Sequence, residues 1–121
     1  MNKKILHIVI FMLFSSLGWS QVNFEISYST GRNDQARAIV QTFDEGYAVI
    51  GSTENYDGNT DVYLMKVDVN GNFIWAKRYG GRGMDGGQDI IQTADSGFAI
   101  VGYGQKSSNY DVFFIRTDKS G

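Results

Sequence analysis

Three oxygen-bearing side chains stand at alternate positions in the middle of the chain, at Asp57, Asn59 and Asp61. Alternating oxygen ligands open a calcium-binding loop, in which a later bidentate Glu completes the coordination. The corresponding later position here is Asp68, at the far end of the next predicted strand. The ligand set is therefore incomplete, and the residues leave two interpretations open, a calcium site or a polar turn.

A glycine pattern follows in residues 81–86, where Gly81, Gly83 and Gly86 spell G-x-G-x-x-G. In dinucleotide-binding domains this pattern leads into a helix whose N-terminus holds the pyrophosphate. Residues 88–93 instead have the pattern of a strand. We interpret the glycines as a flexible connection, with a nucleotide site as the disfavoured alternative.

Acid–base chemistry in this chain would have to use carboxylates. The only His, His7, lies in the N-terminal apolar segment, and the chain contains no Cys. Asp34, Asp85 and Asp89 lie on equivalent connections and could crowd one face of a ring, as paired catalytic carboxylates do. Residues that recur in each repeat usually stabilise the repeat, however. The sequence therefore predicts no enzyme activity, no cofactor, and no catalytic, cofactor-binding or metal-binding residue.

Aromatic side chains offer one further candidate, a carbohydrate-binding platform built from Tyr28, Phe73, Trp75 and Tyr79. Their spacing along predicted strands favours packing between sheets, since aromatic residues dominate β cores. Asp68, which precedes an Asn-Gly turn, is expected to accept backbone N–H groups across that turn, with Trp75 packed beside it.

The residues named above lie within or beside a sequence repeat, which determines where they are placed. Residues 41–51 read QTFDEGYAVIG, and residues 92–102 read QTADSGFAIVG. A recurrence after about 50 residues predicts a repeat architecture. The polar loop that follows the second strand is one residue shorter in the second unit, and length changes of this kind are typical of loops.

Short apolar runs separated by Gly, Asn and Asp predict an all-β fold of four-stranded antiparallel repeats. A β-propeller has blades of this kind, and a β-sandwich is the alternative. Since a ring needs about four blades or more, we expect an incomplete ring and the N-terminal part of a longer protein. The predicted strands are residues 22–29, 36–42, 47–51, 61–68, 73–79, 89–93, 98–103 and 111–118.

Residues 1–20 are predicted to be a secretory signal peptide, with basic Lys3 and Lys4 before an apolar run and small residues before Gln21. A membrane anchor is the alternative. Residues 21–121 then form the propeller-like domain, with one closing strand, one complete unit and one partial unit. The net charge is −2 and becomes more negative without the two lysines, which argues against nucleic acid and an anionic membrane surface as partners. No stable membrane insertion is expected after signal cleavage.

The repeats resemble a family of secreted bacterial propeller-like repeat proteins, often type IX-sorted surface proteins, with units of the form QTxDGGYxxxGxT…DxxLxKxDxxGxxxWxxxYGGxxxD. The family's Gly-Gly pair is Glu45-Gly46 here and Ser96-Gly97 in the second unit, so we expect only the second Gly to take the strained turn conformation. The resemblance implies a fold and an extracellular location, and it supplies no catalytic residue. The match runs through Gln41, Thr42, Asp44, Gly46, Tyr47, Gly51, Thr53, Asp61, Leu64, Lys66, Asp68, Gly71, Trp75, Tyr79, Gly80, Gly81 and Asp85.

The expected function is a non-catalytic secreted or cell-surface module that binds a protein or glycan in interaction or adhesion. Self-association through open blade edges is a further expectation. Two alternatives remain at this point. The chain is the N-terminal part of a secreted enzyme, such as a glycan-degrading hydrolase with its active site downstream, or a truncated product without independent function.

Overall fold

The computed structural model describes residues 24–121, and these form seven β-strands and no helix. Each strand pairs antiparallel with the next one in sequence, giving a four-stranded sheet β1-β2-β3-β4 and a three-stranded sheet β5-β6-β7. The predicted all-β class is confirmed, and the two sheets do not close on each other. The predicted signal peptide, residues 1–20, lies outside the described residues. The strands are β1 (Asp34–Gln41), β2 (Tyr47–Glu54), β3 (Thr60–Val67), β4 (Phe73–Tyr79), β5 (Gly86–Gln92), β6 (Phe98–Lys106) and β7 (Asn109–Thr117).

The second strand of each sheet is longer than the sequence predicted. Ladder pairing continues to Glu54↔Thr60 in the first sheet and to Lys106↔Asn109 in the second. Polar residues can extend both strands here because the backbone ladder satisfies their N–H and C=O groups.

The predicted strand over residues 22–29 is wrong in its described part, since residues 24–29 form no strand. This segment instead lies against the hairpin between β3 and β4. The Phe24 and Ile26 side chains contact Gly71, and the Tyr28 hydroxyl donates a hydrogen bond to the Gly71 carbonyl. A strand requires a neighbour that pairs with its backbone groups, and here side chains hold the segment without one.

The core lies between the two sheets. From the first sheet, Ala48, Ile50, Val62 and Leu64 are fully buried, and β5 lies against β1, β2 and β3. Facing them from the second sheet are three buried apolar residues, and the Trp75 ring meets one of these edge-on with centroids 6.1 Å apart. The facing residues are Ile90, Phe98 and Ile100.

The sheets approach each other closely at Gly87. A Cβ at this position would lie 2.4 Å from the Ile50 Cγ1 atom, far inside van der Waals contact. Glycine is therefore required here for space, since any side chain would separate the sheets.

The tight turn after β1 has the same construction as the turn after β5. The residue with positive φ is Glu45 in one (66°) and Ser96 in the other (66°). The expectation that the second Gly takes this conformation is therefore wrong. Gly46 and Gly97 are needed for space, because a Cβ would lie 2.4 Å from the Val67 carbonyl oxygen and 2.1 Å from that of Thr117, respectively.

Because Gly46 is needed for space and Glu45 takes the positive φ, substitutions at the two positions should affect stability differently. Gly46→Ala should reduce the free energy of unfolding by about 1–3 kcal/mol, since its Cβ has no room. Glu45→Gly should change it by less than about 1 kcal/mol, because relief of the left-handed conformation offsets the extra flexibility of glycine. Urea denaturation of the two variants measures both values. A larger loss for Glu45→Gly would contradict this assignment.

Candidate functional site

A cleft of about 880 Å³ opens where the loops of the two sheets meet. Its walls are the β2–β3 loop, the glycine-rich connection from β4 to β5, and the β6–β7 hairpin. The polar and charged side chains that line it are Asn59, Arg82, Asp85, Gln105, Lys106, Ser107 and Asp111. The cleft therefore combines both charge signs with backbone exposed at several glycines.

Asp85 ties the connection between the sheets to β3. It is 5% exposed, and its Oδ2 accepts a hydrogen bond from the Gly81 N–H at 2.7 Å. Its own N–H donates to the Thr60 carbonyl at 2.7 Å, and its carbonyl accepts from the Thr60 hydroxyl at 3.0 Å. The carboxylate thus fixes the path of the chain from one sheet to the next.

Asp61 and Asp85 flank Gly80. A Cβ on this glycine would lie 2.5 Å from Asp61 Oδ1 and 2.7 Å from Asp85 Oδ2. Burial raises the pKa of Asp61, the positive charge of Arg78 lowers it, and the negative charge of Asp85 raises it further. Sequence reasoning missed this pair, because Asp61 lies at the start of β3 and Asp85 in the connection between the sheets, and only the fold brings them together.

The residues considered for calcium form a loop organised by Asn55. Its Oδ1 accepts the backbone N–H groups of Asp57 and Asn59, at 3.0 and 3.1 Å. Asn59 in turn donates through Nδ2 to the Arg82 carbonyl at 2.9 Å, which ties this loop to the connection between sheets. Within residues 24–121, no three or more His, Cys, Asp or Glu side chains are grouped to hold a metal ion.

The three carboxylates considered for catalysis have different partners and do not form one site. Asp34 accepts hydrogen bonds from the Thr30 N–H and the Thr53 hydroxyl, at 2.8 and 2.6 Å. Burial acts to raise the pKa of Asp34, but these hydrogen bonds outweigh it and lower the pKa. Asp85 makes the equivalent contact to Gly81, and Asp89 lies on the outer face of the second sheet.

The G-x-G-x-x-G segment leads directly into β5, which begins at Gly86. No helix N-terminus is therefore available for a pyrophosphate at this place. Close packing explains two of these glycines. A Cβ at Gly83 would lie 2.1 Å from the Gln105 carbonyl oxygen, and one at Gly86 would lie 2.7 Å from the Tyr103 ring.

Some of the aromatic residues considered for a carbohydrate platform pack in the core, and others are exposed. Trp75 and Tyr79 pack against the core between the sheets, whereas Phe73 is exposed. The Trp75 ring, expected beside Asp68, meets Phe98 of β6 edge-on and also lies against Gly121, which follows β7. Asp68 does accept the N–H groups of Asn70 and Asn72, both at 2.8 Å, as the turn sequence predicted.

Comparison of the chain with family models, curated proteins and solved structures found no match in any of the three. In residues 24–121 there is also no helix long and apolar enough to cross a membrane. The geometry of these residues is therefore the basis for assigning a function.

The turn carboxylate Asp44 should make stability depend on acid. The hydrogen bond from the Thr42 hydroxyl, together with those from Lys66 and Gly46, lowers the pKa of Asp44 from 3.8 to about 2. Because the folded state has the lower pKa, the charged form stabilises the fold above pH 3.8, and this stabilisation is lost as pH falls towards about 2.

Thermal unfolding across this pH range, for the wild type and for Asp44→Asn, measures the effect. The difference in unfolding temperature should be largest above pH 3.8 and should shrink towards pH 2. Asp57→Asn, at an exposed loop position, is the control and should show no such trend. A constant difference for Asp44→Asn would contradict the assignment.

Tyr28 and Tyr79, at equivalent positions, should respond differently to loss of the hydroxyl. Tyr28→Phe removes the hydrogen bond to Gly71 and should cost about 0.5–1.5 kcal/mol in free energy of unfolding. The buried Tyr79 hydroxyl has no hydrogen-bond partner among residues 24–121, so Tyr79→Phe should be neutral or stabilising. Urea denaturation tests the pair, and equal losses would contradict this interpretation.

Proposed function

We propose that this chain is a non-catalytic secreted or cell-surface repeat module, whose sheets are blades of a β-propeller and which acts in protein or glycan interaction. The signal-like residues 1–20 and the resemblance to secreted bacterial repeat proteins support the location. The recurrence of about 50 residues supports the repeat. Each of these supports comes from the sequence, and the structure contributes the arguments that follow.

The observation that carries the proposal is the structural use of the carboxylates. Asp44 accepts hydrogen bonds from Gly46 and from Lys66, while the equivalent Asp95 accepts them from Gly97 and from Arg116. Asp34 and Asp85 likewise hold equivalent backbone N–H groups four residues earlier. Groups that recur with the same partners in both sheets have an architectural role.

Two apolar faces on one sheet favour a blade over a sandwich. The second sheet buries Phe98 and Ile100 against the first sheet, yet it also presents Val101 and Phe114 on the opposite face. A two-sheet sandwich has polar outer faces, whereas a blade in a ring is covered on both sides. This pattern supports blades that stack in series.

The cleft at the loop edge is the proposed binding surface. Arg82, Lys106 and Asp111 provide exposed donors and acceptors there, and the half-buried carboxylate of Asp61 lies nearby. Such a mixture of hydrogen-bonding groups fits the hydroxyl groups of a glycan or the polar surface of a protein.

Two assays of the full chain test this proposal. On arrays of defined glycans and purified extracellular proteins, binding should occur and should fall at least about tenfold for the double variant Lys106→Ala/Asp111→Ala, a loss of about 1.4 kcal/mol. Arg37→Ala, an exposed position outside the cleft, is the matched control. In a glycosidase and esterase screen, activity that disappears with Asp61→Asn or Asp85→Asn would overturn the non-catalytic assignment.

A further inference from the structure

The outer face of the second sheet carries an uncovered apolar patch in residues 24–121, with Asp89 beside it. Val101, Val112 and Phe114 are 42%, 86% and 61% exposed, and Ile91 and Ala99 lie beside them. We call these five residues the open face. Their counterparts in the first sheet are Val40, Ala48, Ile50, Val62 and Leu64, which pack beneath the second sheet.

We propose that the open face binds the first sheet of a second copy of this chain, so that copies stack head to tail. The proposal rests on the repeat interpretation given above, and it specifies the partner and the contacting faces. The contact between copies repeats the contact that each chain already makes between its own sheets.

The first sheet carries the matching surface on the side away from the core. Ile39 is 63% exposed there, although its counterpart in the second sheet, Ile90, is 5% exposed beneath the first sheet. Tyr47 and Val49 on the same face likewise correspond to the buried Phe98 and Ile100. We call Ile39, Tyr47 and Val49 the tail face. The tail face of the first sheet therefore corresponds to the face by which the second sheet packs on the first.

Side-chain volume is conserved at a point of close approach in this contact. Within the chain, Gly87 lies against Ile50. The equivalent position between copies would place Ala36 against Val101. Ala36 has one side-chain carbon more than Gly87, and Val101 has one fewer than Ile50. Both pairs therefore have the same total number of side-chain carbons. Swaps that conserve volume are tolerated well in packed interfaces.

Polar contacts between the sheets would also recur between copies. The Gln92 side chain accepts a hydrogen bond from the Phe43 N–H at 2.7 Å, from one sheet to the other. Between copies, the equivalent contact would join the Gln41 side chain of one copy to the Ala94 N–H of the other. Asn59, which donates to the Arg82 carbonyl, has its counterpart in Asn109. These contacts would fix the register of the two copies.

The N-terminal segment fits the same arrangement. Phe24 lies at Gly71, where a Cβ would be 2.8 Å from its ring, and Trp75 of β4 lies at Gly121 with the same 2.8 Å spacing. Residues 24–28 therefore lie against the first sheet in the same position in which β4 lies against the second sheet. In a stacked pair this segment would lie beside β7, whose outer edge has no strand partner in the described residues.

Analytical ultracentrifugation of the full chain over a wide concentration range tests the stacking. A head-to-tail contact is heterologous, so the mean mass should rise at least about twofold without stopping at a symmetric dimer. Val112→Lys blocks the open face and Ile39→Lys blocks the tail face, and each variant alone should stay monomeric. Both positions are exposed in one chain, so circular dichroism should show an unchanged fold.

A mixture of the two variants separates head-to-tail stacking from other contacts. Each variant keeps the face that the other lacks, so the mixture should form a one-to-one heterodimer and nothing larger. Tyr56→Lys, at an exposed loop tip outside both faces, is the control and should associate as the wild type does.

Three outcomes would overturn the proposal. These are a wild type that stays monomeric at all concentrations, an Ile39→Lys variant that associates as the wild type does, and a mixture that forms no heterodimer. None of them bears on the glycan and protein arrays or on the hydrolase screen. Failure of the stacking and failure of the proposed function are therefore distinguishable.

Discussion

The contact of Gly87 with Ile50 is the constraint on which the rest of this structure depends. It lets two sheets approach closely enough to bury Ile50 and Leu64 completely. With 15 glycines and no cysteine in the chain, stability must come from such packing and from backbone pairing. Each sheet also exposes apolar side chains on the face away from this contact, with Ile39 on the first sheet and Val101 and Phe114 on the second.

The polar residues maintain this contact from the edges. Carboxylates at equivalent positions hold the tight turns and the connection between the sheets, through Asp44, Asp95 and Asp85. Lys66 is almost wholly buried where it binds Asp44, while the equivalent Arg116 is half exposed. The difference has a simple cause, because the second sheet covers the first and nothing in residues 24–121 covers the second.

Much of the fold could be predicted from the recurring residues. Alternating apolar runs and Asn-Gly or Asp-containing turns located all seven strands, because these patterns act locally. Two predictions failed for reasons that are not local. Residues 24–29 have a strand-like pattern without a ladder partner. In the turn, Glu45 takes the positive φ, whereas Gly46 is required because Val67 leaves no room for a Cβ.

The candidate site was less accessible to sequence reasoning. The turn role of Asp68 could be read from its neighbours, since Asx turns depend on adjacent residues. The approach of Asp61 to Asp85 and the exposure of Val112 could not, because both depend on how one sheet packs on the other. Long-range packing, and not turn chemistry, decides which side chains meet.

Disulfide trapping tests most directly whether these sheets are built to stack. The chain has no cysteine, so the double variant Ala36→Cys/Val101→Cys places the only two thiols on faces that point away from each other within one chain. Mild oxidation should yield chains linked in series, resolved on a non-reducing gel, while each single variant gives at most a dimer. Monomers alone after oxidation of the double variant would contradict the account.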